Sequence, residues 1–159
     1  MIYIYNAGPL FSEADQKQRK LEGKLLMEAG SGKADYFVAN PIDLPLDQSK
    51  PLSSQMIFAM DNSHIQKANV FFFELATGDT GTMVELGMAI QRLIAKEQIT
   101  IYPIFSDLRL VRNHASGVEC PVGFNSFVTG SLSYHKIPIY PDFDSALQAF
   151  KRSLAASEG

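Results

Sequence analysis

Asp79 and Glu85 are two carboxylates set where a strand should hand over to a helix, within Thr77-Gly78-Asp79-Thr80-Gly81-Thr82-Met83-Val84-Glu85-Leu86-Gly87. Upstream, Asn69-Val70-Phe71-Phe72-Phe73-Glu74-Leu75 is a β-branched and aromatic run of strand length. Downstream, Leu86, Ala89, Ile90, Leu93 and Ile94 recur at helical spacing. In an open α/β sheet such a turn faces the ligand crevice, and paired acids there suit nucleophilic or acid–base chemistry. Each acid also has a plainer reading. Thr82-Met83-Val84-Glu85 fits a capping box in which Glu85 bonds back to the helix start, and Gly78-Asp79-Thr80-Gly81 is ordinary turn chemistry.

The elements that must hold these acids are legible as an alternation. Strand-like runs fall at 2–5, 36–39, 70–75, 100–105 and 136–139, and helical patterns at 13–28, 53–67, 82–96 and 142–154, with a poorer one around 108–114. That order predicts an α/β fold with a doubly wound, mainly parallel five-stranded sheet of flavodoxin-like or Rossmann-like type. A chain of 159 residues that is 46% hydrophobic is expected to form one domain over 1–159. The stretch 106–133 is polar, contains Gly and Ser, and is too long for an ordinary connection; long loops often carry function. In a parallel sheet the loops after the first and third strands adjoin, which brings Tyr5 and Asn6 towards Asp79 and Glu85. A phenol beside a carboxylate can fix its orientation by a hydrogen bond. Tyr5 equally suits plain strand packing.

Composition removes several function classes. The net charge is −3 and no cluster of Lys or Arg is interleaved with aromatics, so a nucleic-acid polymer is not an expected partner. Cys120 is the single cysteine, which rules out an intrachain disulfide and fits a reducing compartment. The chain opens on Ile2-Tyr3-Ile4-Tyr5 with no basic leader, and no run approaches the roughly 20 apolar residues of a membrane span, so a cytoplasmic protein without membrane contact is expected. The first turn, Asn6 to Ser12, lacks the G-x-G-x-x-G spacing, and nothing resembles a Walker A loop. His64, His114 and His135 have no partner at ligand spacing. No Ser sits in a G-x-S-x-G elbow, and Cys120, next to Pro121, lacks an evident activating base. Neither a metal nor an organic cofactor is expected, and the carboxylates remain.

Ile4-Tyr5-Asn6-Ala7-Gly8-Pro9-Leu10-Phe11-Ser12, then Asp61 with Ile65, Asp79, and Met83-Val84-Glu85-Leu86-Gly87 together resemble the nucleoside 2-deoxyribosyltransferase family. The resemblance implies that small nucleosides and nucleobases are the partners, and that 2-deoxyribose passes between bases. It implies Glu85 as nucleophile, Tyr5 holding it in line, Asp61 as the acid near the base and Asp79 on the sugar hydroxyls. The Ala7-Gly8-Pro9 turn and Phe11 would border the substrate. Asn125, in Gly123-Phe124-Asn125, looks like the family's asparagine that reaches the sugar from a neighbouring subunit, which implies a homo-oligomer.

The chemistry supplies its own reasons for these residue types. N-glycosidic cleavage passes through an oxocarbenium-like state that a carboxylate stabilises and traps, giving ping-pong kinetics with retention. The departing base needs a proton, which an acid of raised pKa can give. Alternatives stay open: Asp61 as a solvated helix-face residue, Asn125 as a turn former, and Phe11, Met56 and Met60 as core. At the level of function, one alternative is an N-glycosidase acting on deoxynucleosides or their monophosphates. Against a phosphate, the first loop holds Glu13 and Asp15 and no Arg, although Arg109 and Arg112 in the 107–122 segment could substitute. Another is a non-catalytic nucleotide-binding module in which Glu85 only caps its helix.

Overall fold

The structure is a computed structural model that describes residues 1–45, 49, 51–108 and 124–157. Four strands, β1 (Ile2–Ala7), β2 (Tyr36–Ala39), β3 (Val70–Glu74) and β4 (Thr100–Ile104), form a parallel sheet in the order β2-β1-β3-β4. Tyr5 pairs with Ala39 on one side and Phe71 on the other. The chain therefore winds outwards from β1 in both directions, and the crevice lies beyond the carboxyl ends of β1 and β3. Phe71, Phe72 and Phe73 are all fully buried, as expected of a central parallel strand covered on both faces.

The helices are α1 (Glu13–Ala29), α2 (Ser54–Ile65), α3 (Thr80–Ile94), α4 (Ser126–Tyr134) and α5 (Phe143–Ser157), with a short 3-10 turn at Pro41–Asp43. Side chains alternate across the sheet. Tyr5, Phe71 and Phe73 join Ile65 of α2, Leu86 and Ile90 of α3 and Leu132 of α4 in one core. Ile4, Phe72 and Ile104 pack on the opposite face with Leu26 of α1 and Leu147 and Phe150 of α5. Tyr5 and Asn6, neighbours in sequence, consequently serve opposite faces of the sheet. Arg92 of α3 lies over the Phe71 ring, 5.7 Å from its centroid, and donates to the carbonyls of Ile65 and Ala68. It satisfies orphan carbonyls at the end of α2 and ties that helix to α3.

The sheet differs from expectation in its strand count. Residues 136–139 do not form the expected fifth strand; among the described residues only an isolated bridge between Ile104 and Tyr140 extends the sheet past β4. Pro138 has no amide hydrogen to give a ladder, and Lys136 sits at φ +56°, which turns the chain just before it. Helix α4 lies in the stretch that reads as a loop. Its sequence, with Val128, Thr129 and Gly130 in its middle, is poor in helix formers, and burial of Thr129 and Leu132 holds it. His114, Cys120, Arg109, Arg112 and nearly all of the expected 108–114 helix and the 107–122 segment lie outside the described residues. No helix among the described residues is long and apolar enough to cross a membrane.

Candidate active site

Tyr5 and Glu85 meet at the end of the crevice. The Tyr5 hydroxyl donates a 2.6 Å hydrogen bond to Glu85 Oε1. The ring is fully buried against Phe71, so the phenol has a fixed position from which to aim the carboxylate. Burial pushes the Glu85 pKa up to about 7; the Tyr5 bond pulls it down, while Asp61 and Asp79 push it up through their charges. Burial, the Glu85 charge and the bond to it raise the Tyr5 pKa in turn, which keeps the phenol a donor.

The capping-box expectation is not met. The N-cap of α3 is Asp79, whose side chain accepts from Thr82 N at 3.1 Å and from the Thr82 hydroxyl at 2.6 Å. The helix begins a residue later at Thr80, so Thr82 falls inside its first turn. Glu85 is thereby released from the helix end and free to meet Tyr5. Asp79 is buried and both its oxygens are engaged, yet a carboxylate has further lone pairs to offer a ligand.

Asp61 projects from α2 into the same place. It is half-buried, its Oδ1 has no hydrogen-bond partner, and burial raises its pKa. A solvated helix-face residue would show none of these. Asp61, Asp79 and Glu85 line one cavity of about 160 Å³ together with Gly8 and Phe11. Phe11 is 73% exposed, so it stands at the mouth and is not core. Met56 is exposed and neither it nor Met60 borders this cavity. Asn125 lies elsewhere. It is the exposed N-cap of α4, accepting from Phe127 N at 2.9 Å, and borders a separate cavity of about 800 Å³ with Met83 and Phe127.

One wall of the cavity belongs to a polar cluster that was not expected from the sequence. Asn6, Arg19, Glu22, Asn40 and Glu74 are all buried. Arg19 pairs with Glu22 at 2.8 Å, and Glu74 accepts from the Ser106 amide and hydroxyl. Gly8 makes the close packing possible: a Cβ there would strike the Arg19 guanidinium and lie 2.8 Å from Glu74 Cβ. The missed signal was helical spacing. Arg19, Glu22, Gly23 and Leu26 share one stripe of α1 that is buried throughout.

Removing only the phenol oxygen isolates its role. Tyr5→Phe is expected to keep the fold and to lower kcat roughly 10–100-fold. Because the Tyr5 bond lowers the Glu85 pKa, the acidic limb of the pH–kcat/KM profile should move to higher pH. An unmoved limb with full activity would contradict the orienting role.

A family model for nucleoside 2-deoxyribosyltransferases matches residues 4–108. The chain belongs to that family. The family points to an enzyme acting on nucleosides, as a transferase or an N-glycosidase. The uncharacterized protein UU063 of Ureaplasma parvum is 30% identical over 145 residues, covering 84% of this chain and 85% of its own. Among solved structures, the 2-deoxyribosyltransferase of Bacillus psychrosaccharolyticus superposes with a TM-score of 0.58 at 22% identity, over 89% of this chain and 87% of that one. The CMP N-glycosidase BcmB of Clostridium botulinum gives a TM-score of 0.56 at 16% identity, over 94% and 98%. At these identities the two structures show a shared fold. Members of the family act on nucleosides and nucleobases, and Tyr5 and the cavity residues Glu85, Asp61 and Asp79 lie within the matched residues.

Proposed function

We propose that the chain transfers a 2-deoxyribosyl group between nucleobases through a covalent ester on Glu85. The observation that carries this reading is the 2.6 Å Tyr5–Glu85 hydrogen bond in a cavity shared with Asp61 and Asp79. A Glu85 oxygen attacks the anomeric carbon, the N-glycosidic bond breaks, and its electron pair goes to the base, which takes a proton from Asp61. A second base then attacks the same carbon from the vacated face, displaces Glu85 and returns its proton to Asp61. Two displacements give retention and ping-pong kinetics. The absence of a 2-hydroxyl makes the cationic state easier to reach, which favours deoxynucleosides. Asp79 anchors the sugar hydroxyls and Phe11 covers the base. Neither displacement uses a metal or an organic cofactor.

The site is completed, in this reading, by Asn125 of the partner subunit in a homo-oligomer. Its separation from the Glu85 cavity within one chain supports this, as does Phe127, 87% exposed beside it. Glu85→Gln and Asn125→Ala should each be inactive alone. Mixed under exchange conditions they should regain about a quarter of native activity, since a hybrid holds one intact site; no recovery on mixing would count against a shared site.

The deciding assay supplies deoxyinosine and adenine and separates the products. Deoxyadenosine supports transfer, whereas no turnover over a nucleoside panel removes the enzyme reading. The likeness in fold to the CMP N-glycosidase supports a second reading, with water as acceptor and free deoxyribose as product. A 5′-phosphate is disfavoured at the first turn of α1. There the Asp15 carboxylate takes the Ser12 amide and hydroxyl, with Glu13 beside it, so negative charge already occupies a helix start suited to anions.

A further inference from the structure

Asn6, Arg19 and Asp61 are the only residues, among those described, with a buried side-chain nitrogen or oxygen lacking a hydrogen-bond partner. All three line the cavity that holds Glu85. Buried polar atoms are nearly always paired, and each exception calls for an explanation. A proton shared with the departing base accounts for Asp61. Asn6 Oδ1 and Arg19 Nε and Nη1 remain.

Their hydrogen-bonding sense is fixed. Asn6 Nδ2 donates to Glu22 Oε2 and Asn40 Oδ1, each at 3.2 Å. A flipped amide would turn its oxygen onto a carboxylate and a carbonyl. Asn40 is locked in turn, its Nδ2 donating to Arg19 O at 3.0 Å and Asp43 Oδ2 at 2.6 Å. Asn6 therefore offers an acceptor and nothing else. Glu22, at 2.8 Å, and Glu74, at 4.0 Å, both face Nη2 of Arg19, leaving the other two nitrogens as donors on a group that has no acceptor. Asn6 and Arg19 hold opposite oxygens of the same Glu22 carboxylate, which makes the two side chains neighbours in the lining of the cavity.

Arg19 also borders a second cavity, of about 630 Å³, between α1, the end of β3 and the start of α5. Neither Asn6 nor Asp61 reaches it. The coincidence of unpaired atoms singles out the cavity with Glu85. With two carboxylates facing the guanidinium, Arg19 suits a neutral acceptor better than a phosphate.

We infer that Asn6 and Arg19 read the edge of the nucleobase: Asn6 accepts from an exocyclic amine or ring N–H, and Arg19 donates to the ring nitrogen or carbonyl beside it. This rests on the deoxyribosyl-transfer reading for the identity of the ligand. The class selected is a base with a donor next to an acceptor on one edge, an amidine or a lactam. A base whose donor is replaced by a methyl group leaves Asn6 Oδ1 unpaired and is rejected.

Acceptor competition tests this. With deoxyinosine as donor, kcat/KM is measured for adenine against 6-methylpurine and for cytosine against 4-methylpyrimidin-2-one, pairs that exchange an amine for a methyl of similar size. The native protein should prefer the amine by about 30-fold or more. Asn6→Ala should reduce that preference to within about threefold. Arg19→Lys, which keeps a positive charge between Glu22 and Glu74, should raise KM for every acceptor about tenfold. No preference in the native protein, or one unchanged in Asn6→Ala, overturns the inference. Calorimetric binding of the same bases to Glu85→Gln separates this from the reaction itself. Amine preference in binding, with no turnover by the native protein, would sink the transfer reading and keep the subsite, whereas equal binding of both members of each pair overturns the subsite.

Discussion

Glu85→Gln is expected to abolish formation of the covalent deoxyribosyl intermediate, to reduce turnover by at least about a thousandfold, and to make the protein more stable above neutral pH. The amide keeps an oxygen for Tyr5 but cannot attack carbon. The stability gain follows from the raised pKa. Below the ordinary glutamate value near 4.5, Glu85 is protonated folded and unfolded, so native and variant behave alike. Between there and about 7 the unfolded chain gives up a proton that the folded chain keeps, and native stability falls relative to the variant as pH rises. Above that the difference is full, on the order of 2 kcal/mol after allowing for partial exposure. Thermal melts of both proteins at pH 4.5 and pH 8 should show a gap of about 5 °C at the higher pH only. Such a gap marks a carboxylate held in place at the expense of stability, a common property of active sites. A variant that still turned over at native rates, or a gap largest in acid, would remove Glu85 from the role.

Asp61→Asn should cost about 10²–10⁴ in kcat for ordinary nucleosides, the range for losing a general acid. Two further readouts distinguish an acid from a structural residue. A deoxyriboside whose leaving group is a pyridinium departs as a neutral molecule and needs no proton, so the variant should process it almost as fast as the native protein does. Asp61 also holds its proton in the reacting form, so the basic limb of the pH–kcat/KM profile, where Asp61 loses that proton, should be absent from the variant. Equal losses on both leaving groups would mean that Asp61 holds the site together without transferring a proton.

Much of the fold is legible in the chain because burial on both faces demands it. The triple phenylalanine of β3 and the largely apolar runs of β1 and β4 suit a covered parallel sheet, and the strands lie within about two residues of where alternation places them. Boundaries shift where two caps compete. Asp79 and Thr82 both suit an N-cap, and the structure uses Asp79, with Thr82 hydrogen-bonded to it. Helix α4 escapes because its propensities are weak and its burial is tertiary. The 136–139 segment misleads because Ile137 and Ile139 resemble a strand, while Pro138 and the positive φ of Lys136 act on pairing and direction.

By itself the sequence determined which groups are available for chemistry: acids at Asp61, Asp79 and Glu85, a phenol at Tyr5, and a small turn at Gly8. It did so because composition and strand–helix periodicity depend on local residues. The tertiary structure decided how those groups are charged and which of them meet. Glu85 becomes a carboxylate of raised pKa and not a helix cap because α3 starts earlier, burial surrounds it and Tyr5, eighty residues away, donates to it. Arg19 and Asn6 become a fixed donor and acceptor because Glu22, Asn40 and Glu74 use up their other atoms. Hydrogen-bond direction and desolvation are properties of contacts between distant residues, and a sheet that sends Tyr5 and Asn6 to opposite faces creates both at once.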